Sequence, residues 1–331
     1  MENEMVHLMH KKYLSTLVAV VAIGCGSALA QSYPVRPVKF VVPYAPGVSP
    51  DISARIVSEF LSKALGQAVI VENMPGANGF VAAQAVARAI PDGYTALVAP
   101  TTVMVNNALL FKTLPYDPLK DFTPVQFLNG GGPFSVSVTA DLPVKNLPEL
   151  IALAKAKPGA ITYGVETSSS VVPMIGRLIR KRANIDVVEV PYKTNSQLIQ
   201  DVVAGRVNYT LGTPISADTM VRAGKLRIIA VTTQNRYEGL PDVQTVNETI
   251  PGLSVQGFMT LVLPSATPMD IVLKLNRAVA ATLKEPDLKK RLTQISVIPV
   301  DGASPEAVAE ALRGERERWR GFVKELDVQP E

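Results

Sequence analysis

The chain has 331 residues, 47% of them hydrophobic and 19% charged, with a net charge of +4 and a sequence pI near 9.0. This composition excludes a disordered chain and is ample for a sizeable core spread over two domains. The basic residues form no stripe interleaved with aromatics, which argues against a nucleic-acid partner.

The first 30 residues read as an export signal. Lys11 and Lys12 precede an apolar run from Leu14 to Ile23, and Ala28-Leu29-Ala30 has the small-x-small pattern of a secretory cleavage site, so cleavage is expected after Ala30. The run falls short of the roughly 20 apolar residues that a membrane span needs. Lipidation at Cys25, in Ala22-Ile23-Gly24-Cys25, is the alternative, and Met5 and Met9 are alternative starts. His7, His10 and Cys25 are the only histidines and cysteine, so a chain beginning at residue 31 contains neither type. That excludes a Ser-His-Asp triad, a Cys-His pair, a His or Cys metal site and any disulfide. No cofactor is expected, and a binding protein is favoured over an enzyme.

In chain order, Val38 to Pro43 reads as a strand that turns through Tyr44-Ala45-Pro46-Gly47-Val48-Ser49-Pro50-Asp51 into a helix carrying Ile52, Ile56, Phe60 and Leu65. A strand at residues 68–71, a turn at 72–79, a helix from Val81 to Ile90 and a strand from Tyr94 to Ala99, running into Thr101-Thr102, follow. Alternation of this kind predicts a parallel sheet with crossover helices. At Asn129-Gly130-Gly131-Gly132-Pro133 the composition shifts. Without a following lysine and Ser/Thr this is no phosphate loop; it reads as a bend or bulge at a domain crossing. A second alternation runs from Phe134 to Val231, with helices expected at Leu147–Lys157, Val171–Arg182, Gln197–Ala204 and Ile215–Ala223. A strand at Thr260–Leu263 and helices at Met269–Leu283, Asp287–Ile295 and Ser304–Leu326 suit a chain that crosses to a second domain and returns. The expected division is 31–130 with 235–331 as domain 1 and 131–234 as domain 2.

Ordered motifs carry a resemblance. Tyr33-Pro34-Val35-Arg36-Pro37, Val42-Pro43-Tyr44-Ala45-Pro46-Gly47, Glu72-Asn73 with Pro75-Gly76-Ala77, Pro91-Asp92-Gly93-Tyr94-Thr95, Val190-Pro191-Tyr192-Lys193, Ala223-Gly224-Lys225-Leu226-Arg227 and Leu240-Pro241-Asp242-Val243 occur in the order seen in Bug-type (TctC-like) substrate-binding proteins. The chain resembles these periplasmic receptors of tripartite tricarboxylate transporters from Tyr33 to its C-terminus. The resemblance implies an α/β type II periplasmic-binding-protein fold, two α/β domains closing on a carboxylate or related solute. It further implies a periplasmic monomer that presents its ligand to the membrane components of a transporter or to a sensor kinase.

Carried over by position, the resemblance implies ligand contacts from Tyr44, Pro46, Gly47, Val48 and Asp51 in a first loop and from Asn78, Thr101, Thr102 and Asn107 nearby. From the other domain it implies Glu166, Thr167, Ser168, Ser169, Ser170, Tyr192 and Thr194, with Phe258 as an apolar wall. Such loops offer N–H and O–H donors at open strand and helix ends. Val48 stands where the family usually has a second glycine, and Glu166 puts a carboxylate near a site meant for carboxylates. Pointing inward, Glu166 would repel a dicarboxylate and favour an amide, amine or neutral aromatic; pointing outward it has no effect. Several residues also have a structural reading. Ser49-Pro50-Asp51 reads as a helix start with Ser49 capping, the serines as caps, and Phe258 as core. An exported hydrolase using a Ser-Lys or carboxylate pair is the alternative function, although no Gly-x-Ser-x-Gly elbow is present.

Overall fold

The computed structural model describes residues 33–166 and 171–330. Pro37–Glu331 forms one compact unit, distinct from residues 1–36. The expected export signal, at residues 1–30, lies outside the described residues.

The unit is built on two five-stranded sheets. The first has the order β2-β1-β3-β10-β4, from β1 (Val38–Val42), β2 (Val69–Asn73), β3 (Thr95–Pro100), β4 (Phe122–Asn129) and β10 (Met259–Pro264). The second has the order β7-β6-β8-β5-β9, from β5 (Ser135–Thr139), β6 (Thr162–Glu166), β7 (Val188–Tyr192), β8 (Tyr209–Gly212) and β9 (Leu226–Val231). Helices α1 (Ser49–Leu65), α2 (Phe80–Ala87), α9 (Met269–Thr282) and α10 (Pro286–Gln294) accompany the first sheet; α4 (Leu147–Ala156), α5 (Val171–Ala183), α6 (Asn195–Val203) and α7 (Pro214–Arg222) connect the second.

The purely parallel expectation needs one correction. β10 runs antiparallel to both β3 and β4, and β5 runs antiparallel to both β8 and β9, so each sheet contains one reversed strand. The cause lies in the crossings. The forward strands end at the edge where the two sheets meet. A chain that leaves one sheet at the end of β4 therefore enters the other at that same edge, and must run away from it as β5. β9 to β10 repeats the move in the opposite direction. This gives two α/β domains whose sheets each carry one reversed strand, the type II periplasmic-binding-protein fold.

Four elements escape the sequence pattern. β4 contains Pro124, which argues against a central strand; it is tolerated here because β4 is the edge of its sheet. After β3 the chain enters a wide π-helical turn, Thr102–Asn106, and the one-turn helix α3 (Asn107–Leu110). A third short helix, α8 (Val246–Thr249), is closed by a capping box between Thr245 and Glu248. The stripe of α1 also differs from expectation: Ala54, Val57 and Leu61 face the core with Ile56, while Ile52 is 37% exposed.

The last helix, α11 (Pro305–Leu326), starts where Ser304 and Pro305 place it, with the Ser304 hydroxyl accepting from the Ala307 N–H at 3.2 Å. It packs on β4 and also reaches α5 of the other domain. Arg182 donates from Nε and Nη2 to the Glu325 carboxylate at 2.9 and 2.7 Å, its guanidinium lies over Phe322 at 5.5 Å, and Lys181 donates to the Glu325 carbonyl. Each partner is about a quarter exposed (24% and 27%), so a bidentate pair here is worth more than a fully exposed one. Glu325→Gln is expected to cost about 1 kcal/mol in a denaturant titration. An unchanged midpoint would mean the pair is decorative.

Candidate functional site

A cavity of about 260 Å³ opens where the two sheets meet. Its wall follows the strand topology. Tyr44 follows β1, Pro100 and Thr101 end β3, Asn129 ends β4, and Thr213 follows β8; Phe134 precedes the reversed strand β5, and Phe258 and Met259 lead into β10. Crevices at the carboxyl ends of strands, where connections part to opposite sides, are the usual ligand sites of open α/β sheets. Ser49, Pro50 and Ser53 of the first turns of α1, Gln256, Ser296 and Trp319 add to the wall.

The first loop is held in shape by a buried carboxylate. Asp51 is 1% exposed and accepts from the Gly47 N–H at 2.8 Å, from Arg55 Nε at 3.0 and 3.1 Å, and from Asn73 Nδ2 at 2.8 Å. Asn73 Nδ2 also donates to the Tyr44 carbonyl at 3.0 Å. Burial pulls the Asp51 carboxyl upward, but the hydrogen bonds from Arg55, Asn73 and Gly47 outweigh it and leave the group below the usual carboxylate range. Asp51 is thus the brace that fixes Tyr44 against the cavity. The capping residue is Val48, one position earlier than the sequence suggests, with the Ile52 N–H donating to the Val48 carbonyl at 3.0 Å. Val48 has an extended backbone (φ −82°, ψ 159°), which a side chain tolerates without strain, and its side chain is 42% exposed.

Tyr44, Thr101, Thr102 and Phe258 are brought together on the cavity wall. Burial pushes the Tyr44 phenol up to about 12, so it remains a neutral donor at physiological pH. The Thr101 hydroxyl accepts from the Phe258 N–H at 2.9 Å, locking the end of β3 to the start of β10, and Phe258 packs edge-on to Phe127 with centroids 5.3 Å apart. The other candidates stand elsewhere among the described residues. Pro46 and Gly47 form the exposed tip of the first loop. Asn78 is joined to Asn107, whose Nδ2 donates to the Asn78 carbonyl and to the Tyr116 hydroxyl, each at 3.0 Å. The Tyr192 hydroxyl donates to Asp201 at 2.7 Å, and Thr194 caps α6. Glu166 ends β6 and is not one of the described lining residues. Thr167, Ser168, Ser169 and Ser170 lie outside the described residues.

Sequence reasoning missed Ser53, Asn106, Asn129, Thr213 and Gln256 on the wall. Thr213, just past a strand and before Pro214, carries the same signal that pointed to Thr101. Asn106 had none, because it depends on the π-helical turn. The described wall contains no Asp, Glu, Lys or Arg, so a ligand's charge must be met by O–H, amide and backbone N–H donors.

A two-domain α/β fold with a cavity between its sheets defines a solute-binding protein of the periplasmic type. The family described as "Tripartite tricarboxylate transporter family receptor" (TctC) matches over residues 53–328, and the chain belongs to that family. It is 35% identical over 315 residues to a UPF0065 protein of Bordetella bronchiseptica, covering 94% of this chain and 92% of that one. Among solved structures it is similar to R. palustris Rpa4515 with adipate (TM-score 0.78, 32% identity, 90% of this chain and 100% of that one). It is likewise similar to MatC (Rpa3494) from Rhodopseudomonas palustris with bound malate (TM-score 0.72, 32% identity, 88% of this chain and 100% of that one). The Bug-type resemblance carried by the ordered motifs is thereby established.

Proposed function

We propose that this protein is an exported periplasmic receptor that captures a small organic carboxylate between its two domains and presents it to the membrane components of a tripartite transporter. The observation that carries the reading is the cavity between the sheets, walled by neutral donors and apolar side chains at the strand ends. Relatives with adipate and with malate support the solute class. The division into 31–130 with 235–331 and 131–234 follows the same reading, supported by β1 to β4 and β10 forming one sheet and β5 to β9 the other. The receptor acts as a monomer and performs no chemistry on its ligand.

Calorimetry and thermal unfolding of the chain from residue 31, against a panel of short mono- and dicarboxylates, test this. Ligand binds only the folded state, so a true solute at a hundred times its Kd is expected to add about 2.7 kcal/mol of stability. No shift across the whole panel would refute the reading.

A further inference from the structure

Elements that carry part of the cavity wall also border a groove of about 540 Å³. The turn after β3 gives Thr102 to the cavity, and the chain that continues it through α3 gives Phe111 to the groove. On α11, Trp319 lines the cavity and Arg316, nearly one turn earlier, lines the groove. The base of the groove is rigid. Tyr116 is 4% exposed there, packs edge-on to both Phe80 and Phe122 with centroids 6.0 Å away, and donates from its hydroxyl to the Val103 carbonyl at 2.8 Å.

The lining joins apolar surface to charge that the chain leaves unmet. Leu119 is 54% exposed beside Phe111 and Leu114. Lys112 and Arg316 are the cations of the lining, and neither forms an ion pair among the described residues. Arg316 has one long hydrogen bond, from Nη2 to the Met104 carbonyl at 3.4 Å. Asp117 and Tyr116, both in the lining, feel its charge, which sets the guanidinium beside the groove. Asp117 is itself committed, accepting from the Leu119 and Lys120 N–H groups at 2.9 and 3.2 Å and facing Lys120 Nζ at 3.6 Å; Arg320 is paired with Glu317. Burial draws the Arg316 guanidinium below its ordinary value, and the attraction of Asp117 does not offset it. Arg177, Arg182 and Arg236, each held by a carboxylate, move the other way.

A part-buried guanidinium without a counter-ion is best completed by a carboxylate, and the exposed leucine beside it by an apolar side chain. A membrane surface is recognised by clusters of roughly four or more cations, and this groove has Lys112 and Arg316 alone. We propose that the groove docks an acidic segment of a partner protein. A carboxylate of that segment meets Arg316 and Lys112, and a neighbouring aliphatic or aromatic residue packs on Phe111, Leu114 and Leu119. This goes beyond the solute reading and does not depend on it.

A fluorescently labelled, capped hexapeptide alternating aspartate with leucine is the probe, followed by anisotropy on the full chain. It is expected to bind with a Kd below about 1 mM, and its asparagine counterpart at least about tenfold more weakly. Raising salt from about 0.05 to about 0.5 M is expected to weaken the aspartate peptide. Arg316→Gln is expected to weaken it about tenfold and Leu119→Ser about fivefold, both with unchanged solute affinity because neither residue lines the cavity. Leu119→Ser, at an exposed position, keeps the test decisive where Arg316→Gln fails to fold. Absence of peptide binding, equal binding of the asparagine peptide, or binding that both variants leave intact overturns the proposal. Association with phosphatidylserine vesicles in place of the peptide, or a solution dimer of this chain that excludes the peptide, overturns it too. If solutes bind and the peptide does not, this inference alone fails; if the peptide binds and no solute does, the receptor reading alone fails.

Discussion

Gly131→Ala is expected to destabilise the fold by about 3 kcal/mol, while Gly257→Ala, its direct neighbour across the crossing, changes stability by less than about 1 kcal/mol. Gly131 has φ +63°, a left-handed backbone that costs an alanine roughly 1–2 kcal/mol. A Cβ there would also stand 2.6 Å from both the carbonyl carbon and the oxygen of Gly257. These are backbone atoms, which cannot swing aside as the end of a long side chain can. The surrounding chain is pinned as well: Gly130 N–H donates to the Ile298 carbonyl at 2.8 Å, and Ile298 N–H donates to the Gly131 carbonyl at 2.7 Å. The overlap adds a further cost on the scale of about 1–3 kcal/mol. At Gly257 an added Cβ meets nothing within 4 Å. Paired urea titrations would settle the contrast, and equal midpoints for the two variants would show that the crossing tolerates expansion. Gly131 and Gly257 both line the cavity between the sheets.

Asp51→Ala is expected to cost about 2–3 kcal/mol and to weaken ligand binding at least about tenfold. The change leaves the Gly47 N–H and one Asn73 bond without their acceptor and Arg55 without its counter-ion, so the loop that carries Tyr44 loses its brace. Arg55 is 49% exposed and regains water, which keeps the cost at the lower end for a broken ion pair. The pH dependence has a definite sign. The Asp51 carboxyl is held below its ordinary value by its hydrogen bonds, against the upward pull of burial. Its contribution is therefore complete above the ordinary value of about 3.9 and is lost as pH falls through the lower folded value. Stability measured from pH 6 down to pH 2 should fall less steeply in Asp51→Ala than in the wild type. An acid limb identical in both would separate Asp51 from the loop's stability, and an unaltered affinity would separate the loop from the site.

Both effects bear on how far the chain could be read in advance. The glycine run at 130–132 reads as a bend or bulge at a domain crossing, but the packing that demands a glycine there does not show in the sequence. Three glycines read as a bend, whereas Gly131 is required by the backbone of Gly257, a residue more than a hundred positions away, packed against it. Asp51 was legible as a helix-start residue or a ligand contact. Its role as a brace depends on Asn73, which arrives from the next strand of the sheet.

The sequence alone determined the α/β class, the strand-to-helix alternation and the family through its ordered motifs. These are readable because strand ends, turn residues and apolar periodicity are local. Tertiary structure decided the reversal of β5 and β10, the acceptance of Pro124 in β4, the tie between Asn78 and Asn107, and the buried, unpaired amide of Asn106. Each of these depends on which segment lies alongside: sheet order, edge position and burial arise from packing between residues distant in the chain, and no window of sequence contains them.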